Sequence, residues 1–554
     1  VVLAAGCSAT HYRNAADREV YGLIERGETN ALGKRTGFRI DTPYSMRDPQ
    51  EIKAGELVQE RAQGSRLLLT IEDALRLAIA NSRTYQRNKE TLYLTALNLT
   101  REQFEFSPQL FASSVGTLAR DPNQSQSARL SSRVGVDQLL KSGARLSAVL
   151  ANDILTYYVG QNPRSALSSI SVNLVQPLLR GAGARIVAEN LTQAERNLIY
   201  EIRAFNRFQM TFAVDIVISY LRLLQQKDVV RNEYNSYVNA ISARELSEAL
   251  GVDRLARVQV DQARQRELDS RNRYFLAVER YRDQLDAFKG TLALPLSTDL
   301  QLDDKALDDL KAVGLMPANL AEQAGYAVAV QKRLDLLNEI DRFEDTKRKI
   351  AVACNQLRTQ LDFFASASLD SDEPTDYTKF TWDKYRATAG FRLNLPLARL
   401  PERNVYRTTF INFERQLRTL AQALDDVRDD VRQGIRGLEL ARRTYEVQQR
   451  SVQLADQRVE STDMLFQAGR VQIRDLLESQ DAQLRAQNAF TLALIEYHST
   501  RLGLLRDLNV LDPDDEKFWL KDYPLPTTGT EETPALLVGP GGEVITPDKL
   551  FGNN

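Results

Sequence analysis

Cysteine and histidine are nearly missing from this chain: Cys7 and Cys354 lie far apart, and His11 and His498 are the two histidines among 554 residues. Two thiols at that separation make no disulfide framework, and two imidazoles furnish no histidine-rich metal site. Net charge is almost absent too. With 72 basic and 74 acidic residues the balance is −2, which excludes a polycation built for nucleic acid. Charged residues make up 26% of the chain and the mean hydropathy is −0.38. No apolar run reaches the roughly 18 residues that a membrane-spanning helix needs.

What is present is a long seam. From Asn404 to Gln467 no proline occurs, and Leu417, Leu424, Val431, Leu438, Tyr445, Val452 and Val459 recur every seven residues. Leu420, Val427, Ala441 and Ala455 hold the accompanying position. A seven-residue seam imposes a left-handed supercoil, and a helix of this length extends roughly 96 Å at about 1.5 Å per residue. Charge occupies its outer faces (Asp425, Asp426, Arg428), so the seam needs partners along its whole length.

The chain opens Val1-Val2-Leu3-Ala4-Ala5-Gly6-Cys7-Ser8, which reads as the tail of a signal peptide ending in a bacterial lipobox, with Cys7 taking the lipid. Residues 8–66 lack sustained periodicity and read as a mostly irregular extension. A helix is expected from Leu69, because Thr70 can cap it with Asp73 three residues on. Past Pro108 the period drops to two, as in Leu130, Ser132, Val134, Val136 and in Ile170, Val172, Leu174, which predicts strands with one apolar face. Gln176-Pro177 closes the last of these. A long helix to about Leu246, a turn at Leu250-Gly251-Val252-Asp253 and a return helix from Arg254 to about Lys289 follow.

The plan then repeats. Arg333-Leu334-Asp335-Leu336 stands where the first half carries Ser82-Arg83-Thr84-Tyr85, an offset of 333 − 82 = 251. Strands around Leu361–Leu369 and Ala387–Leu395 end at Pro396, which answers Pro177. The long seam helix, a turn at Ala468-Gly469-Arg470 and a return helix to Val510 complete the second half. The offset of the turns is 469 − 251 = 218, and the difference falls in the strand segment, where the first half has room for one extra hairpin. The division expected is therefore a leader remnant with the lipidation site (1–7), an extension (8–66), two repeats (67–316 with strands in 109–177; 317–511 with strands in 358–397) and a mostly disordered tail (512–554). So few strands per chain cannot close a barrel, and open edges in lipid leave backbone groups unpaired, so several chains must share one barrel.

Over residues 69–510 the chain resembles the TolC-like outer-membrane factor family. The resemblance is carried by the helix start at Leu69–Leu75, the strand-ending Gln176-Pro177-Leu178-Leu179-Arg180-Gly181, the duplicated order of elements and the tip from Ala468 to Glu478. It implies a mainly α fold with β: duplicated coiled-coil helices forming a trimeric α-barrel, plus a shared transmembrane β-barrel in the cell outer membrane, of 12 strands if the extra hairpin lies outside and 18 if it joins. The function implied is the exit duct of a tripartite efflux or type I secretion system, not an enzyme and without a cofactor. Its partners would be two further copies, a periplasmic adaptor, an inner-membrane transporter and outer-membrane lipid, with no nucleic acid. Carried onto this sequence, Gly251 and Gly469 mark the periplasmic tip turns, and Asp475 and Glu478 match the acidic pair ringing the closed entrance. Arg257 stands at the matching first-half position, where a bridge to Asp475 is expected. Tyr157, Tyr158, Tyr377, Phe380, Trp382 and Tyr385 fall at strand ends, where aromatic rings favour the headgroup level.

A tethering coiled coil would explain the heptads but not two strand blocks ending in proline. An adaptor would carry a lipoyl-like β-domain for which no sequence is found. Gly181 and Gly183 suit a strand-to-helix bend better than a phosphate cradle, since no P-loop lysine follows.

Overall fold

The computed structural model describes residues 9–120, 126–159, 165–251, 257–316, 320–372, 376, 378–515 and 517–523. In chain order the elements are α1 (Ala9–Leu32), α2 (Ala54–Ala62), β1 (Arg66–Leu69), α3 (Ile71–Asn81), α4 (Arg83–Phe104), β2 (Gln109–Arg120), β3 (Gln126–Leu139), β4 (Arg145–Val159), β5 (Ser165–Pro177), α5 (Ala184–Val187) and α6 (Glu189–Gly251). Then come α7 (Arg257–Thr291), β6 (Asp299–Leu302), α8 (Lys305–Val313), α9 (Glu322–Lys332), α10 (Leu334–Gln356), β7 (Gln360–Asp370), β8 (Arg386–Asn394), α11 (Leu400–Gln467) and α12 (Ile473–Asp507). No described helix is long and apolar enough to cross a membrane. Two compact units divide the chain: Val1–Arg39 with Glu90–Arg203 and Asn338–Gln422, and Ile40–Lys89 with Ala204–Leu337 and Ala423–Asn554.

The first unit contains a six-stranded antiparallel sheet in the order β2-β3-β4-β5-β7-β8. The extra first-half hairpin therefore continues the sheet: β2 and β3 pair without interruption from Gln109↔Asp137 to Arg120↔Gln126. In the same unit α1 buries Val20, Leu23 and Ile24. It comes close to α6 at Gly27, where an added Cβ would lie 2.4 Å from the terminal methyl of Ile202 and would have to push it aside. Tyr93 donates to Asp17 at 2.6 Å, and the buried Glu28 accepts from the Thr36 amide and hydroxyl. The extension expected to be irregular thus carries a 24-residue helix. Val20, Leu23 and Ile24 do stand at helical spacing, but the apolar run is short, and its partners, Tyr93 of α4 and Ile202 of α6, lie far along the chain.

In the second unit the core is built from Ile71, Val217, Tyr220, Leu224, Leu494, Leu502 and Leu505, with Phe518 and Trp519. Tyr220 donates to the carbonyls of Leu69 and Asp303, tying together the parallel pair β1 and β6. Thr70 caps α3 as expected, accepting from the Asp73 amide. The α3–α4 break falls at Ser82 and the α9–α10 break at Arg333. Residues 512–515 and 517–523, read from sequence as part of a disordered tail, are ordered: Phe518 and Trp519 are buried and the buried Arg501 donates to the Lys521 carbonyl at 2.7 Å. Apolar burial outweighs the polar composition that made this segment look like a tail.

On α11 the expected seam is inward at Val427, Val431, Leu438, Ala441, Tyr445 and Ala455. Leu417 is half exposed in the single chain. A second stripe, not expected from sequence, runs on the same helix at the same spacing: Leu440, Val447 and Leu454 are all exposed.

Candidate functional site

Strand pairing sorts the sheet into two faces, because residues opposite each other across a ladder share a face. One face carries the rows Leu110–Val136–Ala148–Val172–Ala367–Ala387 and Ala112–Val134–Leu150–Ile170–Leu369. Apart from one polar row its residues are mostly apolar, small alanines among larger side chains, and the larger ones are mostly uncovered: Leu110 and Leu118 are each 85% exposed, whereas Leu369 is buried. Apart from Arg120 at the very end of β2, no charged residue lies on it. Arg129, Arg133, Asp137, Arg145, Asp153, Asp362, Asp370, Arg386 and Arg392 all project to the other face, by the same registers. There Arg129 pairs with Asp153 at 3.4 Å and Arg386 with Asp370.

One polar row crosses the apolar face: Ser114, Ser132, Asn152 and Ser168. Ser114 and Ser132 hydroxyls lie 2.9 Å apart, Asn152 donates to Ser168 at 2.8 Å, and the Ser168 amide donates to Ser371. Each group has a partner within the sheet, so the row does not need water. Between β7 and β8, Trp382 and Tyr385 are 75% and 65% exposed, and Phe380 bridges to Ser371. Asp372 accepts from Thr381 and Lys384, and the Lys384 hydrogen bond first, then Thr381, holds its carboxyl below the usual range. Tyr377 and the side chains of Tyr157 and Tyr158 lie outside the described residues.

At the opposite end of the sheet, Pro177 is the last residue of β5 and pairs with Asp362, and the Leu178 amide still donates to the Leu361 carbonyl. Pro396 follows β8, and Arg399 reaches back to the Pro396 and Leu357 carbonyls. Both prolines thus stand where a ladder ends and a helix begins, since neither can donate to a further pair.

In the second unit α11 turns into α12 at Gly469, whose φ of +72° is the left-handed conformation that glycine adopts without strain. The Arg470 amide donates to Leu465 and the Gly469 amide to Phe466, closing a Schellman motif. Phe466, Ile473, Leu476 and Leu477 pack with Ala243 of α6 and Ala263 of α7. Asp475 forms a capping box with Gln472: it accepts from the Gln472 amide at 3.1 Å while its own amide donates to the Gln472 side chain. Glu478 is exposed and accepts from Arg458 of α11 at 3.2 Å. The expected Arg257–Asp475 bridge is not formed among the described residues. Asp475 is committed to its own helix end, which is the shorter-range bond, and Arg257 is exposed at the first residue of α7. Gly251 is the last residue of α6, and the turn after it lies outside the described residues, as does Cys7.

Farther along, Asp481 of α12 accepts from Arg266 and lies 3.8 Å from Arg273, both on α7, and Arg273 also meets Glu233 of α6 at 3.3 Å. Burial, with Arg273 beside it, brings Arg266 down to about 10. In the first unit Asp345 of α10 is almost enclosed and accepts from Tyr200, Gln193 and Arg348, with Arg196 at 2.9 Å. Sequence reading found neither network, because each joins residues from helices far apart in the chain. Among the described residues no group of three or more His, Cys, Asp or Glu is placed to hold a metal ion.

Compared with solved structures, the chain aligns over 86% of its length with 98% of CusC, whose structures concern folding and transmembrane channel formation, at a TM-score of 0.58 and 11% identity. It covers 85% of the Campylobacter jejuni CmeC outer membrane channel (79% of this chain, TM-score 0.57, 13% identity). It covers 96% of the outer membrane protein VceC from Vibrio cholerae (79% of this chain, TM-score 0.57, 12% identity). The chain has the fold of these outer-membrane channels. No family model matches the sequence, and no curated protein matches it significantly. The neighbours with this fold are channels rather than enzymes.

Proposed function

We propose that this protein is the outer-membrane exit duct of a tripartite efflux or type I secretion system, working as a homotrimer. The observation that carries the reading is the segregation of charge in the sheet: one face with no charge but Arg120 at its end and largely uncovered, the other bearing the remaining arginines and the aspartates. Water on both sides would give no reason for that division, whereas lipid on one side and an aqueous bore on the other requires it. Along β3 the apolar face runs from Gln138 to Gln126, which at about 3.4 Å per residue and a tilt of about 40° is about 31 Å in height, enough to cover a hydrocarbon layer of about 25 Å. The Ser114–Ser132 row falls near its middle.

Further copies are supported by two unpartnered features. Edge strands β2 and β8 cannot stand open in lipid, and six strands are fewer than the eight of the smallest membrane barrels. The exposed heptad stripe Leu440, Val447, Leu454 on α11 is suited to a neighbouring coiled coil. The matching breaks at Ser82 and Arg333 support an origin of residues 67–316 and 317–511 as two repeats.

In this reading the turns at Gly251 and Gly469 form the periplasmic rim that meets an adaptor coupled to an inner-membrane transporter, and Cys7 carries a lipid that adds to the barrel's hold on the membrane. Asp475 and Glu478, three copies each, ring the entrance, restrained by the Gln472 cap and by Arg458. Fractionation of cells tests the whole: the protein should sediment with outer membranes and leave them in mild detergent with the native mass of a trimer. Recovery in the aqueous fraction as a monomer would overturn the proposal.

A further inference from the structure

We infer that three copies of this chain close a barrel of eighteen strands, three times the six of one sheet, with a bore wide enough for a polypeptide to leave as a helical hairpin. The inference rests on the exit-duct reading and adds to it the size class of the cargo. Its basis is the placement of β2 and β3. They are no appendage lying over the sheet: β3 pairs with β4 from Leu139↔Arg145 outward, β2 pairs with β3 along its whole length, and the alternation of faces passes through both pairs in phase as far as a register shift at Gln126/Ser127. Leu110, Ala112 and Leu118 of the edge strand continue the uncharged face, and Leu110 and Leu118 are as uncovered as side chains on that face become. A hairpin folded inward as a plug, or outward as a surface loop, would bury one of its faces or break register with β4.

Strand number fixes width. With strands about 4.8 Å apart and tilted about 40°, each occupies about 6.3 Å of circumference, so eighteen give a backbone diameter of about 36 Å and twelve about 24 Å. Side chains remove about 11 Å, leaving bores of about 25 and about 13 Å. A helix with its side chains is about 10–12 Å across. The narrower bore admits one helix, the wider one two side by side. The bore-facing residues at mid-height are short, with Ser113, Ala151 and Ser169 beside Arg133, and their charges are of both signs (Arg129, Asp153), so nothing there selects cargo by charge. The membrane section is then a passive exit, and any filter lies at the other end of the duct.

Electron cryomicroscopy of the full chain extracted in detergent counts strands and copies together, and neutral polymers added from the barrel side of a planar bilayer measure the bore. The expected result is three copies, eighteen wall strands and entry of polymers up to about 25 Å across. Joining Arg120 to Ser165 by a short turn removes β3 and β4 and should lower the conductance of the barrel section roughly three- to fourfold. Three copies with twelve wall strands, two strands per chain folded off the wall and a cutoff near 13 Å would overturn the inference and leave the duct standing. Two copies, or no pore, would overturn the duct reading and this inference with it.

Discussion

Leu150 and Val149 are neighbours on β4 that the registers send to opposite faces: Leu150 sits between Val134 and Ile170 on the uncharged face, Val149 between Gly135 and Ser171 on the charged one. Each is apolar, so replacing either by arginine changes the side chain in the same sense. Leu150 lies one row from the central Ser132–Asn152 row, where an arginine facing hydrocarbon costs about 2–4 kcal/mol per chain. In a shared barrel of three chains that becomes about 6–12 kcal/mol per assembly, and per chain a roughly 30- to 1,000-fold shift in the folding equilibrium at about 1.4 kcal/mol per factor of ten. Val149→Arg places its guanidinium beside Ser171 in the aqueous bore, where surface substitutions change stability by about 0.5 kcal/mol or less. The assay is the fraction of heat-resistant oligomer after extraction, together with the urea midpoint in liposomes. Leu150→Arg should lose most of the oligomer and Val149→Arg almost none. Equal behaviour of the two variants would refute the assignment of lipid and water to these faces.

Val447→Asp puts a charge in the exposed α11 stripe and should dissociate the oligomer while each chain keeps its helicity, as read by native mass and circular dichroism together. At Gly469 no atom lies within 4 Å of an added Cβ, so Gly469→Val costs only the left-handed backbone, about 1–2 kcal/mol; transport should fall while the heat-resistant oligomer persists. His498 is buried, and burial first, then Arg501, lowers it to about 4 from its usual 6.5, with Nε2 against the Gly314 carbonyl. The unfolded chain therefore binds the extra proton between pH 6.5 and 4, so stability is full above 6.5 and declines by about 3 kcal/mol as pH falls to 4. His498→Gln should flatten that slope in urea titrations across the window; an unchanged slope would remove His498 from the account. Asp475→Asn with Glu478→Gln keeps the size of both side chains and should weaken cation selectivity and block by divalent cations in single-channel recording, whereas unchanged selectivity would leave the ring without a role.

Much of the architecture was legible because it rests on periodicity. The α11 seam, the caps at Thr70 and Gly469, and the prolines closing β5 and β8 are local in sequence and local in cause. The extra hairpin could be seen as strands but not placed, since its position depends on pairing between Leu139 and Arg145 that alternation alone leaves open. Helix α1 and the Phe518–Trp519 anchor went unread because much of their burial is supplied by other helices far along the chain. At the candidate gate the residues were identified by position, but their bonds were not. A capping box outcompetes the Arg257 bridge for Asp475, and Arg458, on the preceding helix, rather than a first-half residue, faces Glu478.

Single-channel recording of the purified, detergent-extracted protein in a planar bilayer shows whether the assembled chains form a membrane-spanning pore. The oligomer should give discrete conductance steps of uniform size, lost in Leu150→Arg and kept in Val149→Arg. A protein that stays in water without detergent and adds no conductance to the bilayer would contradict this.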